Sequence, residues 1–260
     1  MDKKLRYLLY ASAIAVFFIV MGLSLAGVRS KRSEATCTGL EVCFRDSLEF
    51  VSEADIKEFI DKQYGRYIGQ KMDSVKLARI ETILEAKSAV EDSEAWLTPD
   101  GMLHVSITQR APAIRFQKDN IGFYADNEGF IFPLHRTYTA PVPYITGNIP
   151  VTITSGFKGE LESVEEKQWV LDLLSPTNYM DKTKSLKGKI SAMEVNASGD
   201  LVLTAAEGGE KIIFGSPRDA ADKFARLDKY YTHILPAMGE GYYKSVNVKY
   251  NGQIICRKGI

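Results

Sequence analysis

The sequence is short of the groups that most often announce chemistry. It carries three histidines and three cysteines in 260 residues. None of them falls into zinc-type spacing, a C-x-x-C pair or an H-E-x-x-H helix, and no nucleophile elbow is present. His104 faces away from the apolar side of its strand, His135 follows a Pro-Leu loop and His233 lies late on the last helix. No catalytic residue, cofactor site, metal site or small-molecule substrate is expected. Excess charge is also missing, since Lys+Arg and Asp+Glu balance at 33 each. With no basic run and no aromatic RNA-binding motif, nucleic acid is excluded as a partner.

Cysteine says little about the compartment. Cys37, Cys43 and Cys256 are an odd number. A Cys37–Cys43 bridge is conceivable in an exported domain, but Cys43 falls in an expected strand and is more simply buried.

One long hydrophobic run is present. Tyr7 to Val28 contains no charged residue, about 22 positions, enough to cross the ~30 Å hydrocarbon core. A cleaved leader has a shorter apolar region, about 7–15 residues, and Leu25-Ala26-Gly27 is a poor cleavage site. The run reads as an uncleaved anchor held by the lipid bilayer. Lys3, Lys4 and Arg6 flank one end, and Arg29, Lys31 and Arg32 the other. That tie is tipped only by the α-amino group toward a cytoplasmic N-terminus.

The chain after the anchor is organised around Leu103–Pro112. Leu103, Val105 and Ile107 alternate with polar residues, the period of a half-buried strand, and Pro112 ends it. Before it, Leu40–Arg45 reads as a strand. Ser52 with Asp55 forms a capping box for a helix whose stripe is Ile56, Phe59 and Ile60, with Val51 and Ile56 as its staple and Gly65 near its stop. A second helix is expected from about Ser74 to Ala86, capped by Asp73, with Leu77, Ile80 and Leu84 on one face. Ala89–Thr98 is a strand, and Thr98-Pro99-Asp100-Gly101 a tight turn. The order strand-helix-helix-strand-strand makes a small domain with two helices over one face of a sheet.

Beyond Pro112 come short strands. Ile114–Gln117, Phe123–Ala125, Phe130–Leu134 and Tyr144–Gly147 are separated by turn residues and by the stiff Ala140–Pro143 connection. Ser163 and Glu166 cap a helix expected to stop before Pro176. A meander follows through Ile190–Val195, Leu201–Ala205 and Lys211–Phe214, with a hairpin turn rather than a glycosylation site at Asn196-Ala197-Ser198. Ser216 and Pro217 start a last helix with a Phe224, Leu227, Tyr231 and Ile234 stripe that Pro236 closes. Ser245–Lys258 is either a hairpin around Asn251-Gly252 or one long strand bulged at Gly252.

These pieces resemble the FtsQ/DivIB family of cell-division proteins over nearly the whole chain. The carriers are the anchor, the Val51–Ile56 helix start and Leu103–Pro112 with its Gln-Arg-x-Pro ending. In the second half they are Tyr124–Phe132, Val142–Gly147 and Val246–Tyr250. The resemblance implies an α+β chain: a cytoplasmic tail (1–6), a transmembrane helix (7–28), a tether (29–38), a POTRA-like β-α-α-β-β domain (39–112) and a mostly antiparallel β-domain with flanking helices (113–260). It implies a non-enzymatic inner-membrane scaffold of the bacterial divisome, its bulk in the periplasm, binding an FtsB/FtsL-like pair. Partner contact carries over to Tyr250, Gly252, Ile254, Ile255 and Arg257. The Phe224–Leu227–Tyr231 stripe is read as internal packing. Many family members continue past the final strand where this sequence stops. A terminal edge strand supports the same mechanism physically, because its unpaired N–H and C=O groups can accept a partner strand. Two rivals are an envelope hydrolase anchored in the inner membrane and a POTRA-bearing assembly factor. The first has no recognised histidine motif behind it, and the second needs a long barrel-forming run of strands.

Overall fold

The computed structural model describes residues 14, 16–21, 35–183, 186 and 188–259. Within the expected Tyr7–Val28 anchor, residues 14 and 16–21 are helical and exposed; the rest of the run, the 1–6 tail and residues 29–34 of the tether lie outside the described residues. Among the described residues no helix is long and apolar enough to cross a membrane. The chain divides into two compact units between Gln109 and Arg110.

The first unit runs β1 (Gly39–Phe44), α1 (Glu53–Gln63), a 3-10 turn (Met72–Ser74), α2 (Leu77–Glu85), β2 (Val90–Leu97) and β3 (Met102–Gln109). Its sheet has the order β1-β3-β2, with β1 parallel and β2 antiparallel to the central β3. Leu103, Val105 and Ile107 are fully buried, as their alternation predicts. The Ser52–Asp55 capping box forms in both directions, and Ile56 and Ile60 are buried behind it. The turn after β2 closes with a Gly101 N–H to Thr98 carbonyl bond. Gly101 has φ +88, and a Cβ there would sit 2.3 Å from the Thr36 carbonyl oxygen, so glycine is required.

Gln109 ties this unit together. Its side-chain amide donates to Asp46 Oδ1 at 2.8 Å and to the Leu48 carbonyl, while its Oε1 accepts the Val51 N–H at 3.0 Å. Its own N–H donates to Asp46 Oδ2 at 2.6 Å. One buried amide thus satisfies the connection between β1 and α1.

Two expectations for this unit are corrected. α2 starts at Leu77, and Asp73 is not its cap. Met72 and Val75 are both buried, which takes a 3-10 turn followed by an extended residue, and the Lys76 N–H is met by the Tyr64 hydroxyl at 2.8 Å. Cys43 is exposed, and Cys37, Cys43 and Cys256 are all free thiols. Cys43 lies on the sheet face that the helices leave uncovered, which reverses its expected burial.

The second unit runs β4 (Ile114–Lys118), β5 (Ile121–Ala125), β6 (Ile131–Pro133), β7 (Tyr144–Gly147), α3 (Val164–Lys182), β8 (Ile190–Val195), β9 (Leu201–Ala205) and β10 (Lys211–Gly215). It ends with α4 (Ala220–Lys229), a π-helical turn (Tyr230–Ile234), α5 (Leu235–Met238), β11 (Tyr243–Asn247) and β12 (Ile255–Lys258). One nine-stranded sheet has the order β12-β11-β10-β9-β8-β7-β4-β5-β6. Five pairings are antiparallel, while β4–β7, β7–β8 and β10–β11 are parallel. Val170 and Leu173 of α3, Phe224 and Leu227 of α4, and Tyr230 share one core with Phe116, Ile145, Leu203, Phe214 and Val246 from the sheet.

Proline fails as a stop twice. α3 continues through Pro176 to Lys182. Past the proline, Thr177 Oγ1 bonds the Leu173 and Leu174 carbonyls, Tyr179 stacks on Phe224 at 4.9 Å and Met180 is buried. Packing of the extra turn outweighs the lost N–H. In the last helix, Pro236 sits in the first turn of α5, which follows the π-helical turn and runs on to Met238. Its start is also corrected: Asp219 precedes Ala220 in a left-handed conformation, and Ser216 instead accepts the Arg218 N–H in a turn. The inserted π residue shifts the buried position, so that Tyr230 is wholly buried and Tyr231 only partly.

Candidate partner-binding edge

The two rims of the nine-stranded sheet differ in chemistry. β6 is closed: Ile131 exchanges both backbone bonds with Gly159 at 2.9 and 3.0 Å, and Pro133 has no N–H to offer. β12 has β11 on one side and no strand on the other among the described residues. Its ladder is Tyr243↔Lys258, Ser245↔Arg257, Val246↔Cys256 and Asn247↔Ile255. Ser245–Lys258 is therefore the hairpin of the two readings, extended back to Tyr243.

The sequence-derived contact residues lie along this hairpin but not on one face. Tyr250 is 52% exposed on the turn, where the Gln253 N–H bonds the Tyr250 carbonyl at 3.4 Å. Gly252 sits in the same turn with φ +69. Ile255 is 40% exposed and Arg257 exposed, so these two point outward along β12. Ile254 and Cys256 point inward and pack against the core; burial accordingly pushes the Cys256 thiol pKa up.

Long-range polar contacts hold the hairpin, and sequence reasoning missed them. Arg226 Nη2 donates to the Val248 carbonyl at 2.8 Å in a buried site, while its Nη1 pairs with Asp222. The Val248 N–H bonds the Ile213 carbonyl at 3.1 Å. Lys249 Nζ reaches both Asp200 oxygens, at 2.8 and 2.9 Å, and that bond raises the lysine pKa. Lys249 crosses directly over Gly215, whose φ is +80 and whose Cβ would fall 2.6 Å from Lys249 Cγ. The only local signal was two buried cations, Lys223 and Arg226, flanking the Phe224 stripe. Lys223 donates to the Ser216 and Arg218 carbonyls at 2.6 and 2.7 Å, and burial lowers its pKa.

The histidines do not assemble a reaction centre. His104 Nδ1 is 3.2 Å from Glu41 and its Nε2 is 3.3 Å from Thr98 Oγ1. The Thr98 hydroxyl, however, donates toward Asp100 and the Met102 carbonyl, which takes its proton away from the imidazole. His135 contacts Thr137, and His233 is exposed. Among the described residues no group of His, Cys, Asp or Glu is placed to hold a metal ion. A cleft of about 460 Å³ beside β7 and β8 is lined by Pro141, Pro143, Met180 and Met193, and among the described residues Tyr144 is the one ionisable side chain in its lining.

The fold defines the class first: a two-unit α+β protein whose first unit is a POTRA-like module, matched by the POTRA-like domain model over residues 35–108. The chain belongs to the FtsQ/DivIB family, because the FtsQ/DivIB C-terminal-related model matches residues 111–257, more than half of its length. That is a family of division scaffolds, and membership gives the chain a cell-division role in the divisome. Among curated proteins none matches the sequence closely.

Proposed function

We propose that this protein is a single-pass scaffold of the divisome, with Tyr7–Val28 in the inner membrane, a short cytoplasmic N-terminus and its bulk in the periplasm. It binds an FtsB/FtsL-like pair by accepting a partner strand on β12. The observation that carries this reading is the difference between the two sheet rims. β6 is bridged by Gly159 and blocked by Pro133, whereas β12 has no neighbouring strand on its outer side among the described residues. Backbone pairing supplies affinity in such an addition, and outward side chains supply specificity. Tyr250, Ile255 and Arg257 are the outward set, with Gly252 shaping the turn and Ile254 anchoring the strand to the core. The role is one of binding, with no catalytic step.

The test is capture of an FtsB/FtsL-like pair by the full chain. Deleting Gln253–Ile260 abolishes capture, and Ile255→Glu weakens it without unfolding the second unit, because Ile255 points to solvent. A folded deletion variant that still captures the pair would refute strand addition. A reporter active only in the periplasm, fused after Ile260, should be active; an inactive fusion reverses the orientation.

A further inference from the structure

The first unit has a second open surface, distant in chemistry from a strand edge. Its helices lie against β1 and β2 and cover the apolar side of the sheet. On the other side the register lines up Glu41, His104 and Trp96 across the three strands, with Cys43, Ser106 and Glu94 in the next row. Trp96 is 41% exposed. One side of its indole is stacked on His104, centroids 5.3 Å apart and planes 8° apart, which fixes the ring upright on the sheet.

The charge on this face is lopsided. Glu41, Asp92 and Glu94 have side chains 65, 55 and 63% exposed. Arg45 is the single guanidinium among them; it pairs with Asp92 at 3.4 Å and with Glu94, and its Nε donates to Ser106 at 2.8 Å. Asp100 ends the face at the β2–β3 turn, and the Thr98 hydroxyl holds its carboxyl below the usual carboxylate range. Since the whole chain has no net charge, this acidic excess is local. Asp92 and Glu94 share the one guanidinium, Glu41 lies 3.2 Å from the His104 ring, and the half-exposed indole stands beside them.

We propose that this face docks a basic segment of a partner protein, one that stacks an arginine or lysine on Trp96 and pairs its cations with Glu94 and Glu41. Cations favour the face of an indole, and guanidinium is the group that both stacks and forks to carboxylates. An acidic segment would set carboxylate against carboxylate, and a neutral glycan would leave the charges unanswered. This inference does not depend on the β12 reading, because it concerns a different unit and a different kind of contact.

Cys43 marks the middle of the face and is exposed, so a photo-crosslinking amino acid in its place reports what lies there. The full chain carrying it is irradiated in dividing cells, with the same group at the exposed helix position Glu58 as reference, and the crosslinked partner peptides are sequenced. The expected result is a peptide with at least two Arg or Lys residues, captured from position 43 and not from 58. Its yield should fall about fivefold with Trp96→Ala, and again with Glu41→Gln and Glu94→Gln together, while the unit's amide-exchange protection is retained. Capture of an acidic or uncharged peptide, capture indifferent to these substitutions, or no signal above position 58 would each overturn the proposal.

Discussion

Single residues decide how firmly the second unit holds its aromatic layer. Tyr231 Oη is buried with no hydrogen-bond partner among the described residues, and burial, followed by Glu210 and Glu207, raises its pKa. An orphaned hydroxyl costs about 1 kcal/mol or more, so Tyr231→Phe should stabilise the protein by about 1 kcal/mol in a denaturant titration. The pH dependence has a definite sign. Below pH ~10 the phenol is neutral in both states; above it the unfolded chain ionises first, so stability falls as pH rises toward the folded value. Tyr231→Phe should flatten part of that alkaline decline; Tyr230, raised by burial and Glu210, and Tyr67, raised by burial and Asp61, contribute to what remains. None of this was legible in the sequence, where Tyr231 took the stripe position that Tyr230 fills.

At the scale of elements, local pattern was readable where local energy decides. The alternation of Leu103, Val105 and Ile107, the Ser52–Asp55 box and the Asn196 turn each need only near neighbours, and each formed. Pro176 misled because distant packing outweighs its backbone penalty, through Tyr179 on Phe224, and Pro236 because the π-helical turn before it leaves it in the first turn of α5, where a missing N–H costs little. If Thr177 and the packing beyond it merely offset the proline, Pro176→Ala should stabilise α3 by about 1 kcal/mol, measured as a raised unfolding midpoint. A loss of stability would mean that the irregular turn itself is needed. The hairpin carries the matching functional prediction. Lys249→Met or Asp200→Asn should weaken capture of an FtsB/FtsL-like pair, since the turn bearing Tyr250 loses its tether while the β11–β12 ladder remains. Equal capture by both variants would show that Arg226 at Val248 suffices. Tyr250, Ile255 and Arg257 are proposed from the family resemblance; the clamp behind them spans residues 200 to 249 and has no local signature.

For the whole molecule, what the sequence could not supply was strand order. The nine strands were nearly all visible as segments, but the path 12-11-10-9-8-7-4-5-6 rests on three parallel pairings across long connections. That path alone makes β12 and β6 the rims. The division at Gln109 and Arg110 separates two polar anchors that adjoin in the chain. Gln109 serves the first unit through Asp46 and Val51, and Arg110 serves the second through Asp126 at 2.8 Å and the Phe130 ring at 3.9 Å. Each unit therefore has its own core and its own polar staple at the junction. Leu103→Ala, at the wholly buried centre of the first sheet, should cost about 2–5 kcal/mol. Amide exchange of the full chain should show that loss in β1, β2 and β3, with β8 to β12 keeping their protection. Equal loss of protection in both units would mean that the chain unfolds as one cooperative body, and that the POTRA-like unit acts on the β12 rim through stability alone.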